Sequence, residues 1–291
     1  MKVADGMKRK SEFVLWIFLL PSFMGLLIFY VIPFLMSFYY ALIDNMSNKS
    51  FVGLRNFISI IGNDVFRRAF FNTWLFILLS VPIGLILSLF IALCIDQLPK
   101  GKRMSATILM LPLIIPSGTI VYFWKVLFNS GGLINKILYT FGYDYRDLGQ
   151  GQWALGVMLL IFLWKNNGYN VILFWAGLMW IPEEYYEMAE MEGASFFQKF
   201  RHITFVYLTP TTFVVILMSI ANSFKVFKEI YLLYGNYPTS NLYMLQHFMN
   251  NNFMNVNMQN LTSASYIMFL ILAVIIAILF KLQRHVSITI G

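Results

Sequence analysis

Apolar residues run along the chain in long uncharged blocks. Residues 13–43, 69–95, 104–124 and 202–224 contain no Asp, Glu, Lys or Arg, and 261–280 forms a fifth such block. A helix rises about 1.5 Å per residue and needs about 20 apolar residues to cross the hydrocarbon core, so each block holds one membrane-spanning helix. The stretch 148–182 is interrupted only by Lys165. Two spans there would have to start after the GQGQ at 149–152, leaving the first too short to cross, so one helix over 153–181 is predicted, with Lys165 near its middle. Six spans result, at about 13–40, 72–95, 104–125, 153–181, 203–225 and 261–281. The fold class is an all-α integral membrane protein: a tail at 1–12, then one transmembrane domain over 13–291.

Composition agrees with this pattern. Hydrophobic residues make up 59% of the 291 and charged residues only 12%, against about 25% charged in an ordinary soluble domain. Such a chain needs lipid as part of its solvent. Aromatics at 18% exclude disorder, and Cys94 is the only cysteine, which excludes a disulfide-stapled fold. The net charge of +8 does not call for nucleic acid, because basic residues beside spans set orientation and meet anionic headgroups. With both termini inside, the inner segments carry 11 Lys/Arg in 53 residues and the outer ones 9 in 96. The excess predicts cytoplasmic termini, led by Lys8, Arg9 and Lys10 and by Lys100, Lys102 and Arg103. The first block is too long for a secretory h-region and no small-residue cleavage site follows it, so no cleavage is expected. Pro21 and Pro33 should kink or end helical segments within it. The segment 236–260, with Tyr237, Tyr243 and Phe248 among its Asn and Met residues, is expected to pack as a structured lid.

Several chemistries have no residues to carry them. There is no GxxxxGK[ST] phosphate loop, so ATP hydrolysis would have to lie on another chain. His202, His247 and His285 stand in separate segments without a second ligand at metal spacing, and no GxSxG or Cys/His arrangement offers a nucleophile. No catalytic or metal residue is therefore assigned.

The most informative stretch is IPEEYYEMAEMEGASFFQKFRHIT at 181–204. Pro182, Glu183 and Glu184 suit the first turn of a helix, whose positive end favours carboxylates. Gly193 ends it, and Ser195 with Gln198 forms a capping box for a second helix. Ala189 and Gly193 at i and i+4 leave one face of the first helix flat. Five glutamates would be repelled by anionic lipid, so its partner is expected to be a protein.

Here the residues resemble a known family. Glu187, Ala189 and Gly193, spaced E-x-A-x-x-x-G and followed ten residues later by Ile203, are similar to the EAA loop of binding-protein-dependent ABC importer permeases. The fuller string, with FVGLRNF at 51–57, Asn72-Thr73 and SFKVFKEIYLL at 223–233, resembles the carbohydrate branch, which contains the maltose and glycerol-phosphate permease subunits. The departures are Met188 for Ala, Glu192 for Asp, and Phe205-Val206 for Leu-Pro; the last should leave the approach to the fifth span less kinked.

The resemblance implies a type I importer permease fold of six spans in a bacterial inner membrane, with a cytoplasmic coupling helix in the loop 182–202 between spans four and five. It also implies a second, homologous permease, two ATPase subunits holding ATP and Mg, and an extracytoplasmic solute-binding protein that delivers a sugar. No cofactor would be bound by this chain. Glu187, Ala189, Glu190, Glu192 and Gly193 would face the ATPase, with Glu187 its polar anchor and Gly193 a point of close approach.

Polar groups within spans are expensive and mark a path or a partner. The fourth span carries Trp164, Lys165, Asn166, Asn167, Tyr169 and Asn170, and the fifth carries Ser219, Asn222 and Ser223 at i, i+3, i+4. Aromatic faces and amides suit a neutral carbohydrate, and the resemblance places sugar contacts at Asn166, Tyr169, Ser219, Asn222 and Ser223. The same groups could instead glue helices together. Lys165 either pairs with a carboxylate of the partner permease or binds an anionic substrate, which keeps sugar phosphates and uronic sugars open. Trp124, Lys125 and Lys225 read as interface anchors. A self-sufficient secondary carrier would call for inverted repeats or central acids within spans, and no predicted span contains such an acid.

Overall fold

Breaks in the helices fall where a residue forces them. The computed structural model describes residues 16, 18–128, 131–142 and 151–290; the tail at 1–12 and the side chains of Gln152 and residues 285–290, His285 included, lie outside the described part. Among the described residues four helices are long and apolar enough to cross a membrane: Phe18–Ala41, Asp64–Asp96, Ala154–Met179 and Met258–Arg284. Two bent pairs raise the number to six if each is one span.

The chain forms two compact units. The first comprises Met1–Asn63 and Asn252–Phe269. In it Leu27–Val31 widens into a π turn, with the Ile32 N–H bonded to the Leu27 carbonyl, just ahead of Pro33. Proline offers no N–H and its ring crowds the carbonyl four residues back, so one wider turn absorbs it without ending the helix. Tyr266 donates its hydroxyl to the Phe34 carbonyl, and the rings of Phe34, Phe38 and Phe269 surround it. Asn56 of the FVGLRNF stretch donates to the carbonyls of Ala41 and Ile43 at 3.0 and 2.8 Å, closing the end of the first span.

The second unit comprises Asp64–Asn251 and Leu270–Gly291, with the Ala154–Met179 helix packed against four others. Two buried clusters hold it, one around Phe76, Ile120, Met158 and Ile230, the other around Ala92, Val171, Phe174 and Leu208. Small residues let backbones close in. A Cβ on Gly168 would lie 1.9 Å from the Leu109 carbonyl oxygen, and one on Gly177 would lie 2.8 Å from Thr211 Oγ1. With no solvent-driven force between helices in lipid, such close approach is what dispersion and packing require.

Three features differ from the sequence expectation. The third span breaks: Lys102–Ile114 ends at Ile115, which is extended at φ −68° and ψ 129°, and a new helix starts at Ser117. Pro116 imposes this, because proline pushes the residue before it out of the α region. The fifth span does not end at 225; Val226–Tyr234 continues it beyond a single turn residue, Lys225. Its approach is not straighter without the Leu-Pro pair. Phe196–Tyr207 meets Thr209–Tyr234 at 66°. Pro210 at the start of Thr209–Phe224 supplies the bend by removing the N–H that would have bonded Val206.

The segment after the fifth span is structured and anchored. Buried Asn72 donates to the Ser240 and Tyr243 carbonyls at 2.7 and 3.0 Å, and Thr73 Oγ1 accepts from the Leu245 N–H at 2.8 Å. His247 is fully buried on Leu245–Met254, its Nδ1 accepting from the Met244 N–H and its ring meeting Phe227 edge to face. Burial pulls its pKa down to about 4, so the ring stays neutral with its proton on Nε2. Replacing Asn72 by Ala strips the Ser240 and Tyr243 carbonyls of their buried donor. We expect a loss of about 1–3 kcal/mol, or roughly 2–4 °C in melting temperature per kcal/mol, read from thermal unfolding of the purified protein. An unmoved melt would show that the loop is held by other contacts.

Candidate functional site

Two groups of residues singled out by the sequence occupy distinct places in the second unit. The first is the helix Glu183–Met191. Pro182 sits at its N-cap with extended backbone, one residue before the predicted position, and Glu183 and Glu184 occupy its first turn. Its end is a Schellman turn: the Ala194 N–H bonds the Ala189 carbonyl and the Gly193 N–H bonds the Glu190 carbonyl, both at 2.9 Å. Gly193 has φ +77°, where a Cβ would meet no neighbour but would strain the backbone. The glycine is therefore required here by its φ, and its flank is open. Ser195 and Gln198 then form the capping box, with the Ser195 N–H donating to Gln198 Oε1 at 2.7 Å and the Gln198 N–H to Ser195 Oγ at 3.4 Å.

This helix is exposed yet tied down. Glu187, Glu190, Glu192 and Gly193 are exposed and Ala189 is half-buried, while Met188 and Met191 show large apolar surface, Met191 at 82%. Tyr186 shares a hydrogen bond of 2.8 Å with Thr204, in the π turn Phe200–Thr204, and packs against the second core cluster. Glu190 pairs with Lys199 of the next helix. Tyr185 stacks at a tilt on Tyr207, 5.5 Å away. An isolated nine-residue helix has no stability in water, so these ties let it present one surface in one orientation.

The second group is the polar belt, and the structure divides it. Asn170 donates to Ser219 Oγ at 3.0 Å, Ser223 lies 3.0 Å from Ser80 Oγ, and all four side chains are buried. They form a seam between the second, fourth and fifth spans. Asn166 bonds the Phe162 carbonyl of its own helix, and Lys225 reaches Asn222 Oδ1 at 2.8 Å. Asn166, Tyr169 and Asn222 are half-buried. A crevice of about 10 Å³ lies between Ser80, Gly84, Asn166, Asn167 and Ser219. That is room for about one water, far below the 300 Å³ or more of a small-molecule pocket. Asn167 Nδ2, which has no acceptor among the described residues, borders it.

Lys165 has a partner that the sequence did not reveal. Its Nζ lies 2.5 Å from Glu229 Oε1 and 2.7 Å from Ser117 Oγ, and Ser117 in turn donates to Glu229 at 3.0 Å. The side chains of Lys165 and Glu229 are only 14% and 8% exposed. The carboxylate thus belongs to this chain, on the helix Val226–Tyr234 that follows the Lys225 turn. Lys225, Lys228 and Glu229 look like the opening of a polar loop, but Val226, Glu229 and Ile230 fall at i, i+3, i+4 and share a buried face. That spacing was the available signal. All three members stand at discontinuities or on the central helix: Ser117 just after the Pro116 break, Glu229 just after the Lys225 turn, Lys165 midway along Ala154–Met179. Among the described residues no three His, Cys, Asp or Glu side chains are placed to hold a metal.

Against known proteins, residues 57–288 match the family described as binding-protein-dependent transport system inner membrane component. The chain is 30% identical to the trehalose/maltose transport system permease protein MalF of Thermococcus litoralis, covering 81% of this chain and 82% of that one. It is 29% identical to the sn-glycerol-3-phosphate transport system permease protein UgpA of Salmonella choleraesuis, over 74% of each. In three dimensions it is similar to a chain of a bacterial ABC transporter involved in the import of the acidic polysaccharide alginate, with a TM-score of 0.82, 24% identity and coverage of 98% and 99%.

Proposed function

This chain belongs to the family of binding-protein-dependent transport system inner membrane components, and from that premise we propose that it carries a sugar, a di- or oligosaccharide, into the cell. It is a multi-pass inner membrane protein and the permease component of an ABC transporter; the ATPase resides on partner subunits, and this chain holds no cofactor. In the proposed reading an extracytoplasmic binding protein delivers the sugar, a second homologous permease completes the path, and both termini face the cytoplasm.

One observation carries the mechanism: the exposed helix Glu183–Met191, held to the approach of the fifth span through Tyr186 and Thr204. A motor that grips this helix moves the spans behind it. ATP binding biases a two-state permease because the closed motor fits one of its states better than the other. Glu187, Glu190 and Glu192 give the polar contacts, Ala189 and Gly193 the flat side, and Met188 and Met191 the apolar anchors. On the substrate side Lys165, Asn166, Tyr169, Asn170, Ser219, Asn222 and Ser223 border the path. Asn170, Ser219 and Ser223 shape it by holding helices in register, while Asn166, Tyr169 and Asn222 keep surface for a sugar. The carbohydrate assignment is supported by the trehalose/maltose and alginate systems among its relatives.

The assembled complex, purified through a tag on this chain, tests the reading. Gly193→Asp and Glu187→Lys are expected to leave membrane insertion intact and to lower sugar-stimulated ATP hydrolysis by roughly tenfold, a coupling loss of about 1.4 kcal/mol. Unchanged hydrolysis would remove the docking role of this helix. Stimulation by no member of an oligosaccharide panel would remove the sugar.

A further inference from the structure

Whether the transported sugar is charged depends on what the cation in the belt can offer it. An unpaired ammonium between helices, away from bulk water, draws an anion strongly, because no solvent competes. Lys165 is not in that condition. Its Nζ contacts the Glu229 carboxylate at 2.5 Å, Ser117 bridges both, and the two side chains are almost wholly withdrawn from solvent. One positive and one negative charge at that separation leave little field beyond the pair, so a uronate or phosphate group gains nothing there that a hydroxyl does not.

The other cations nearby do not replace it. Lys125, Lys225 and Lys228 are exposed, where water and salt screen their attraction for an anion, and Lys225 already donates to Asn222. Apart from the Lys225 ammonium on Asn222, the belt presents neutral groups: the amides of Asn166 and Asn222, the Tyr169 ring and phenol, and the indole of Trp164. These stack on sugar rings and exchange hydrogen bonds with hydroxyls.

We infer that Glu229 is a specificity-determining residue, which cancels the charge of Lys165 and sets this permease for uncharged rather than anionic sugars. The inference rests on the carbohydrate reading above.

Equilibrium dialysis of the purified complex against two labelled ligands tests it: a neutral oligosaccharide and the same oligosaccharide with its sugars oxidised to uronates. The wild-type complex should retain the neutral form about tenfold better. Glu229→Gln frees the ammonium and should shift the ratio of the two affinities toward the uronate by about tenfold or more. The double variant Lys165→Met/Glu229→Met, neutral again, should return to the wild-type ratio, and it carries the test where the single variant fails to assemble. Wild-type retention of the uronate equal to or better than the neutral form would overturn the inference, as would a double variant that loses uronate selectively, since Lys165 would then be the anion site. If wild type retains neither ligand, the carbohydrate reading falls with it; if it retains only the uronate, that reading stands and the charge assignment alone is lost.

Discussion

Gly168→Ala should abolish the recovery of folded permease. The added methyl carbon would sit 1.9 Å from the Leu109 carbonyl oxygen and 2.6 Å from its carbonyl carbon, and both are backbone atoms that cannot rotate aside. Ordinary overpacking of a core costs about 1–3 kcal/mol because flexible side chains give way. Here the Lys102–Ile114 helix itself must retreat by more than an ångström from Ala154–Met179, opening the contact along its length. Gly156 is the control on the same helix, since a methyl there meets nothing within 4 Å. Gly156→Ala should be neutral or mildly stabilising, as alanine is favoured over glycine in a helix by about 1 kcal/mol. Size-exclusion profiles of the two variants separate the cases: a monodisperse peak of wild-type height for Gly168→Ala would mean that the two helices do not touch at this point.

Lys165→Met is expected to have the second largest effect. It leaves the Glu229 carboxylate buried with Ser117 as its hydrogen-bond donor and no countercharge. Breaking a buried pair from one side costs about 3–5 kcal/mol, whereas replacing both members with apolar groups of similar volume is often neutral or better. The single variant should therefore melt well below wild type, and Lys165→Met/Glu229→Met should recover most of the loss. Equal destabilisation in both would assign the cost to packing of the lysine stem instead of to the stranded charge.

Much of this arrangement could be read from the chain, and what escaped has physical reasons. The Schellman turn at Gly193 and the capping box at Ser195 and Gln198 are local devices, each written within four to six residues, so spacing alone gives them away. The membrane fold follows from uncharged length. Lys165 stood out because a charge in an apolar block is conspicuous. Glu229 did not, because it follows Lys225 and Lys228, and three charges in five residues imitate a loop; the apolar face that buries it depends on Val226 and Ile230 continuing the helix past the turn. The bend at Leu208 was hidden differently. A proline at 206 would have freed the carbonyl of residue 202; Pro210, four residues downstream, frees that of Val206 and bends the chain one turn later. The belt residues are the hardest to read. Asn170, Ser219 and Ser223 have the same chemistry whether they meet a sugar or each other, and only their burial separates them from Asn166 and Asn222.

The Asn72 and Thr73 anchor also governs how force travels. Three hydrogen bonds fasten the turn at 240–245 to the second span within two residues, and the turn has no slack relative to that helix. Anything that leans on this turn pushes the Asp64–Asp96 rod lengthwise instead of merely deforming a flexible strap, so a touch at the rim arrives at Asp96, more than six helical turns away, as a displacement of the far tip.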